Sequence, residues 1–527
     1  MKRSKLLALS LACGAGLLVP RAAVWANPVL SYTSTSGDPS VSQPTSQGWS
    51  YEGTNGTGFV SANGGYLAST GGSTAWVSPE FNISPGAYYQ TTYSYVDQQA
   101  TLQSTKGYVA TFGANPAATY DLEQTNNALY WRTNGSAQNV SSPILYAGQL
   151  LHDDYNGVLP TGSSFTTAST IWQAPQNSTN GFVVFQGAST TNPLEIQSMN
   201  VTQVTSSQVL TWTGSLQAAL NFQTTPSFNL PAGRFAQLPH TFAKLASGQP
   251  LKIAFMTDSI ACDSENSLFN TMLEQDYPGA QITLYNATGH GTGTTAWLNP
   301  VAGNSTTGGL NLSNAVLAQH PDLVIMGGIS SMANNTSNAS IQGFHTLTAD
   351  IKAADPNTDI LYITGNDWDL MNTTQVHDYT ANSSNVYGTI AFNRSLGLST
   401  DYRNVLSQQA AADNAQYGDV AFFDTYGERG NYLMNEIFAE DGPNPTATQE
   451  ATFFDKIHRD VTHSNDYGKD IDAQVLRAYF DGATSVPEPA SLALIGVGSL
   501  SLLSRRRRRL NPSPNREGVC TAGHEAS

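Results

Sequence analysis

The sequence predicts a three-layer α/β/α sandwich on a five-stranded parallel sheet, preceded by an all-β sandwich or jelly-roll domain. Three observations carry this. Over residues 250–482 short apolar runs alternate with amphipathic segments, the pattern of strands covered by helices on both faces. Over residues 27–205 the chain is rich in Ser, Thr, Asn, Gly and aromatics, and β-prone runs are separated by turn residues. Both ends carry an apolar run beside basic residues, which marks them as targeting segments outside the fold.

Residues 1–26 have the layout of a secretory signal. Lys2, Arg3 and Lys5 precede an apolar stretch over 6–19, and Val24-Trp25-Ala26 places small residues near the cleavage point. Signal peptidase and export across an inner membrane follow from that reading. In the β-rich part, strands are expected at 58–61, 73–77, 88–96, 107–112, 128–132, 181–186 and 194–204. Residues 206–249 form a connector with Pro226, Pro231 and Pro239, although 210–222 carries spaced apolar residues.

The α/β pattern then begins. Strands are expected at 251–256 (LKIAFM), 281–285 (QITLY), 323–326 (LVIM), 359–364 (DILYIT) and 420–424 (VAFFD). Helices are expected at 267–276, 310–319, 341–354, within 387–417, and at 466–480. Right-handed crossovers place helices on both faces of such a sheet. Chemistry is then expected at the carboxyl ends of the strands.

At the far end, Pro487-Glu488-Pro489 precedes an apolar run over 490–503 and the arginines 505–509. The run is short for a bilayer span, which needs about 20 residues, and the arginines hold that end in the cytoplasm. Residues 486–509 resemble the PEP-CTERM sorting tail of Gram-negative surface proteins. The resemblance implies transient membrane retention, removal of the tail by an exosortase, and release or attachment at the cell surface or extracellular matrix. Residues 510–527 extend beyond that pattern, and no role is assigned to them.

Composition narrows the function. The formal net charge is −16, with 23 basic and 39 acidic residues. Ten of those basic residues but only three of the acids lie in the end segments, so the mature part is more acidic still. Nucleic acid is excluded as a main partner, because phosphate binding needs a basic face. Charged residues at 12% and hydrophobics at 40% exclude a disordered chain, a coiled coil and a polytopic membrane protein. Of Cys13, Cys262 and Cys520, only Cys262 survives both trimmings, so no internal disulfide and no two-cysteine zinc cluster is expected. Cys262 itself reads as a packing residue. A His-Glu-x-x-His motif is absent, as is a Gly-x-Ser-x-Gly elbow. The glycines at 289, 291 and 293 lack the Lys-Ser/Thr ending of a phosphate loop. No metal and no cofactor is expected.

Two short motifs carry chemistry. Thr257-Asp258-Ser259 follows the first strand of the α/β pattern and can present a hydroxyl over the sheet, beside helix N–H groups suited to an oxyanion. The same residues also suit a helix cap. Asp460-Val461-Thr462-His463 stands just ahead of the last helix, where the aspartate can curl back to orient the imidazole. His458, with Asp455 three residues earlier, is the competing pair, and a turn-forming Asp460 beside a surface histidine is the plainer alternative.

Together these pieces resemble the SGNH (GDSL-like) hydrolase family over about residues 251–480. The resemblance implies a flavodoxin-like sheet and a serine esterase. It maps the nucleophile onto Ser259, although Thr257 stands where the family has a glycine. It maps the late Asp-x-x-His block onto Asp460 and His463 unchanged. Oxyanion donors map onto the N–H groups of Ser259 and Gly291, with Gly293 the second choice. The family's third block, Gly-x-Asn-Asp, meets Gly328-Ile329-Ser330 here. Ser330 therefore stands at the asparagine position, and Asn334 or Asn335 is the replacement donor if the loop is rearranged. Losing one such donor costs about 3–4 kcal/mol in a serine hydrolase.

An exported acidic esterase beside an aromatic-rich sandwich points to O-acetylated polysaccharide, or another ester of small size, as substrate. Residues 27–205 are loosely similar to a jelly-roll carbohydrate-binding module, on the stretches 78–96 and 194–204. Trp49, Trp76, Trp131 and Trp172 are the candidate sugar-stacking faces, with core packing the alternative for each. Two other readings stay open. One is a catalytically impaired hydrolase fold serving as a carbohydrate-binding or matrix protein, motivated by Ser330 and Thr257. The other is a lipase or thioesterase acting on acyl chains.

Overall fold

The computed structural model describes residues 28–34, 46–53, 67–69, 74–97, 106–112, 120–125, 128–133, 149–153, 164–174, 176, 179–186, 194–257, 267–286, 316–328, 339–365, 402–443, 445–446, 449, 452–453, 456–457 and 464–482. The β-rich part holds β1 (Leu30–Thr33), β2 (Ser50–Gly53), β3 (Leu67–Ser69), β4 (Thr74–Val77), β5 (Phe81–Asn82), β6 (Tyr88–Asp97) and β7 (Lys106–Phe112). It continues with β8 (Tyr120–Thr125), β9 (Ala128–Thr133), β10 (Gln149–Asp153), β11 (Thr166–Gln173), β12 (Asn180–Gln186) and β13 (Leu194–Val204).

These strands build two antiparallel sheets. One runs β1-β13-β6-β11 with β3 beside β13; the other runs β10-β7-β12-β4-β2 with β5 beside β12. Their inner faces share one core of Tyr32, Trp49, Trp76, Tyr89, Tyr93, Trp172, Val183 and Phe185, among others. That is a β-sandwich, in which alternate residues of each strand face the opposing sheet. Among the described residues, β8 and β9 pair only with each other.

The expected connector is built into the next unit. It forms α1 (Ser206–Leu220), the short α2 (Arg234–Gln237) and α3 (Pro239–Ser247). Thr205 opens α1 with a capping box, its side chain accepting from Gln208 N while Gln208 returns a bond to the Thr205 backbone. Phe242 and Leu245 of α3 enter the core below the parallel sheet, and Phe222, Phe228 and Leu230 pack against it. Residues 206–249 thus serve as a layer of the α/β unit, because their spaced apolar residues have a sheet face to cover.

The α/β unit comprises β14 (Leu251–Thr257), α4 (Phe269–Asp276), β15 (Ile282–Asn286), β16 (Leu323–Gly327), α5 (Ala339–Ala354), β17 (Asp359–Ile363), α6 (Tyr402–Tyr417), β18 (Val420–Phe423), α7 (Thr425–Asp441) and α8 (Asp466–Phe480). All five strands are parallel, in the order β15-β14-β16-β17-β18. This is the doubly wound order of a flavodoxin-like fold, which reverses direction at the first strand. Alternate residues serve the two faces. Ile253, Phe255, Ile325, Leu361 and Phe423 face α3, α4, α7 and α8, whereas Ala254, Met256, Met326 and Tyr362 face α5 and α6. Of the helix expected over 310–319, the described residues include only a 3₁₀ turn at Leu317–Gln319.

α7 was not expected from the sequence. Its Gly427 and Gly430 depress helix propensity, yet tertiary contacts bury Tyr432, Leu433 and Ile437. Two buried carboxylates on it fasten the connector. Glu436 accepts the backbone N–H groups of Gln223 and Thr224 at 2.8 and 2.7 Å, and Glu428 accepts that of Asn229. Burial pushes the Glu428 carboxyl up, against the hydrogen bond from Asn229.

Candidate active site

The direction of winding changes beside β14, so the crevice at its carboxyl end is where a ligand is expected in this topology. Thr257 closes β14 fully buried, in register with Gly327 at the end of β16, which pairs in turn with Ile363 at the end of β17. Gly327 is required there. Its φ is +158°, and a Cβ would run into the Ile363 carbonyl oxygen. The ends of β16 and β17 therefore approach each other as closely as backbone permits.

Ser259 lies two residues beyond Thr257, and Ser330 three beyond Gly327. Both fall outside the described residues, as do Gly291, Gly293, Asn334, Asp460 and His463, the competing pair Asp455 and His458, and Cys262. The strand ends ahead of Ser259, Gly291 and Ser330 are described. α4 begins at Phe269, after Leu268 in the left-handed region at φ 61°.

The surroundings of the His463 segment are well defined. The chain enters it at Ile457 and leaves at Ser464. Asn465 N donates to Ile457 O at 3.0 Å, and Asn465 Nδ2 donates to Lys456 O at 3.0 Å. The Asn465 side chain also caps α8 by accepting from Tyr467 N and Gly468 N. Gly468 permits this closure, since a Cβ there would collide with Ile457 O. Sequence reasoning missed a buried polar ring at the same place. Arg429 Nε lies 2.6 Å from Asp472 Oδ1, Arg429 Nη2 donates to Ser464 Oγ at 3.1 Å, and Ser464 Oγ donates to Asp472 Oδ2 at 2.9 Å. The one available signal was an arginine set among aromatic residues in an acidic chain.

A second polar group lines the carboxyl ends of β17 and β18. Thr364 Oγ1 donates to Asp424 Oδ1 at 3.2 Å, Arg403 Nη1 donates to Asp424 Oδ2 at 3.1 Å, and Asp424 accepts from Gly427 N to cap α7. On α8, Asp470 accepts from Gln217 and Gln474, yet burial pushes its carboxyl up to about 6.

The tryptophans correct the sequence reading. Trp49, Trp76 and Trp172 are 2, 0 and 1% exposed, inside the sandwich core. An enclosed ring has no face left for a sugar, so these three are packing residues. Trp131 lies in β9, with its side chain outside the described residues.

Other features lie away from the strand ends that matter. At the opposite end of the sheet, ligand-type atoms of His240, Asp359 and Asp419 lie within 4.8 Å of one another. They satisfy each other internally: His240 Nδ1 is 3.0 Å from Asp359 Oδ1, Thr241 N donates to Asp359 Oδ2 at 2.6 Å, and Lys352 Nζ donates to Asp419 Oδ2 at 3.4 Å. A cleft of about 270 Å³ opens between the sandwich and β15, lined by Tyr88, Gln173, Glu274 and Thr283 among others. Among the described residues, no helix is long and apolar enough to cross a membrane.

Comparison with known proteins gives two findings. Residues 485–509 match the PEP-CTERM protein-sorting motif, which marks the chain as an exported protein sorted by an exosortase. Among solved structures, the chain is similar to a two-domain esterase active on acetylated mannans, at 15% identity and a TM-score of 0.31, covering 49% of this chain and 55% of that one. This chain thus spans about half the length of that esterase. It is also similar to a lipase/acylhydrolase from Enterococcus faecalis (14% identity, TM-score 0.28, 44% of this chain and 96% of that one). A family two carbohydrate esterase from Cellvibrio japonicus is similar at 12% identity and a TM-score of 0.22, covering 86% of this chain and 96% of that one. Among curated proteins, none matches the sequence. The architecture is a flavodoxin-like α/β/α unit preceded by a β-sandwich. The sorting motif adds the exported class.

Proposed function

We propose that this chain is an exported serine esterase that removes O-acetyl groups from carbohydrate. One observation carries the reading. Ser259 stands two residues past the carboxyl end of the strand at which the sheet reverses, and Asp460 and His463 immediately precede the helix that covers the same sheet.

The roles follow from that placement. Ser259 Oγ attacks the ester carbonyl and forms the acyl-enzyme. His463 takes the serine proton and passes it to the leaving alcohol. Asp460 fixes the imidazole tautomer and stabilises the imidazolium. Backbone N–H groups of Ser259 and Gly291 hold the oxyanion, with Ser330 as the third donor. Water, deprotonated by His463, then releases acetate. Export places the enzyme among surface or matrix polysaccharides, whose acetyl esters are the proposed substrates.

The test is acetate release from acetylated xylan, with p-nitrophenyl acetate in parallel, for the full chain and its Ser259→Ala variant. Release by the parent and not by the variant supports the esterase and the polysaccharide together. Turnover of the small ester alone redirects the search to other acyl donors, lipid and thioester included. Two inert, folded proteins overturn the catalytic reading in favour of a carbohydrate-binding role.

A further inference from the structure

Arg429 is 1% exposed, a full charge enclosed where α7 meets α8, and it belongs to none of the roles above. Its partners close a ring with no water-facing side: Asp472, 2% exposed, and Ser464, 1% exposed. Stability alone does not call for such a ring, since well-packed apolar residues of similar volume serve a core as well as a buried ion pair does. What the ring supplies is direction. A guanidinium fork and a carboxylate fix the hydroxyl between them in position and angle. That hydroxyl belongs to the residue directly after His463.

We infer that Arg429, through Ser464 and Asp472, is a positioning residue for His463; this rests on the Ser259–His463–Asp460 reading proposed above. The described residues on either side of 458–463 are fixed in two ways. Asn465 ties back to Lys456 and Ile457, joining the residues that flank that segment. The ring then holds Ser464, the residue that follows His463. An imidazole that must reach a serine hydroxyl tolerates little error, and a displacement of about 1 Å costs on the order of a hundredfold in rate.

Ser464→Ala tests this cleanly, because it removes the link to the histidine segment and leaves the Arg429–Asp472 ion pair in place. The assay is hydrolysis of p-nitrophenyl acetate by the full chain. A fluorophosphonate titration counts reactive Ser259 sites, so that kcat is expressed per competent site. The expected result is a fall in kcat of about 10- to 100-fold with KM changed by less than about twofold. Arg429→Lys, which keeps the charge and loses the fork, is expected to fall less than Arg429→Met. Two results overturn the role. If per-site kcat in Ser464→Ala equals that of a parent whose turnover Ser259→Ala abolishes, the ring is structural only and the esterase reading stands. If turnover survives Ser259→Ala, the catalytic reading falls and the positioning role falls with it.

Discussion

Tyr88 of the sandwich and Thr271 of α4 share a buried hydrogen bond of 2.6 Å across 183 residues of sequence. Asn270 joins them, donating to Tyr88 Oη at 3.3 Å and to Gln173 Oε1 at 2.9 Å. Around this polar knot, Tyr88, Ile171, Val204, Val209 and Leu268 form a small apolar cluster. The sandwich is therefore bonded to the helix that follows the Ser259 segment.

Tyr88→Phe removes one hydroxyl from that knot and leaves Thr271 and Asn270 short of a partner. The expected cost is about 1–3 kcal/mol of stability. Denaturant titration measures it, and a double-mutant cycle with Thr271→Val should show a coupling of at least about 0.5 kcal/mol. Additive effects would show that the contact carries no coupling.

Gly327→Ala forces a methyl group into the Ile363 carbonyl oxygen. Neither strand can yield without breaking register with its neighbours. A loss of about 3 kcal/mol or more is expected, and thermal unfolding of the variant checks it.

Asp470→Asn should change the pH dependence of stability. The carboxyl of Asp470 is pushed up to about 6 by burial, above its unfolded value of 3.8. The folded state thus holds the proton more tightly, and stability falls as pH rises through the interval between those values. The asparagine variant keeps a neutral group at all pH. Its midpoint should exceed the parent's at pH 8 by up to about 3 kcal/mol of stability and converge with it near pH 4. Equal gains at both pH values would remove Asp470 as the cause.

Ser330→Asn restores an amide where the third block of the resembled family has one. If the oxyanion site is short of a strong donor, kcat on p-nitrophenyl acetate should rise by roughly 10- to 100-fold with little change in KM. An unchanged kcat would mean that another group already fills the role.

Legibility of the sequence followed the physics of each element. Every strand of the parallel sheet was readable, because residues such as Leu323–Gly327 are buried on both faces and so form an unbroken apolar run. β11 was missed, since Thr166 to Thr170 is polar and only Ile171 and Trp172 announce a core. The box at Thr205 and Gln208 was legible in principle, and reading it would have turned the connector into a helix. The strand end at Thr257 and the helix start at Asp466, which drew attention to Ser259, Asp460 and His463, were both legible. The Arg429 ring could not, because contacts across 35 residues leave no spacing to detect.

The sheet is fastened where its strands begin. Lys244 Nζ donates to Asp322 Oδ1 at 2.7 Å, Asp322 Oδ2 accepts from Lys252 N at 2.9 Å, and Asp359 is clasped by His240 and Thr241. None of these groups stands at the end where the strands finish. α3 and the amino ends of β14 and β17 thus form one charge-bonded base. Removing the single Asp322 carboxylate would therefore loosen α3 and β14 together.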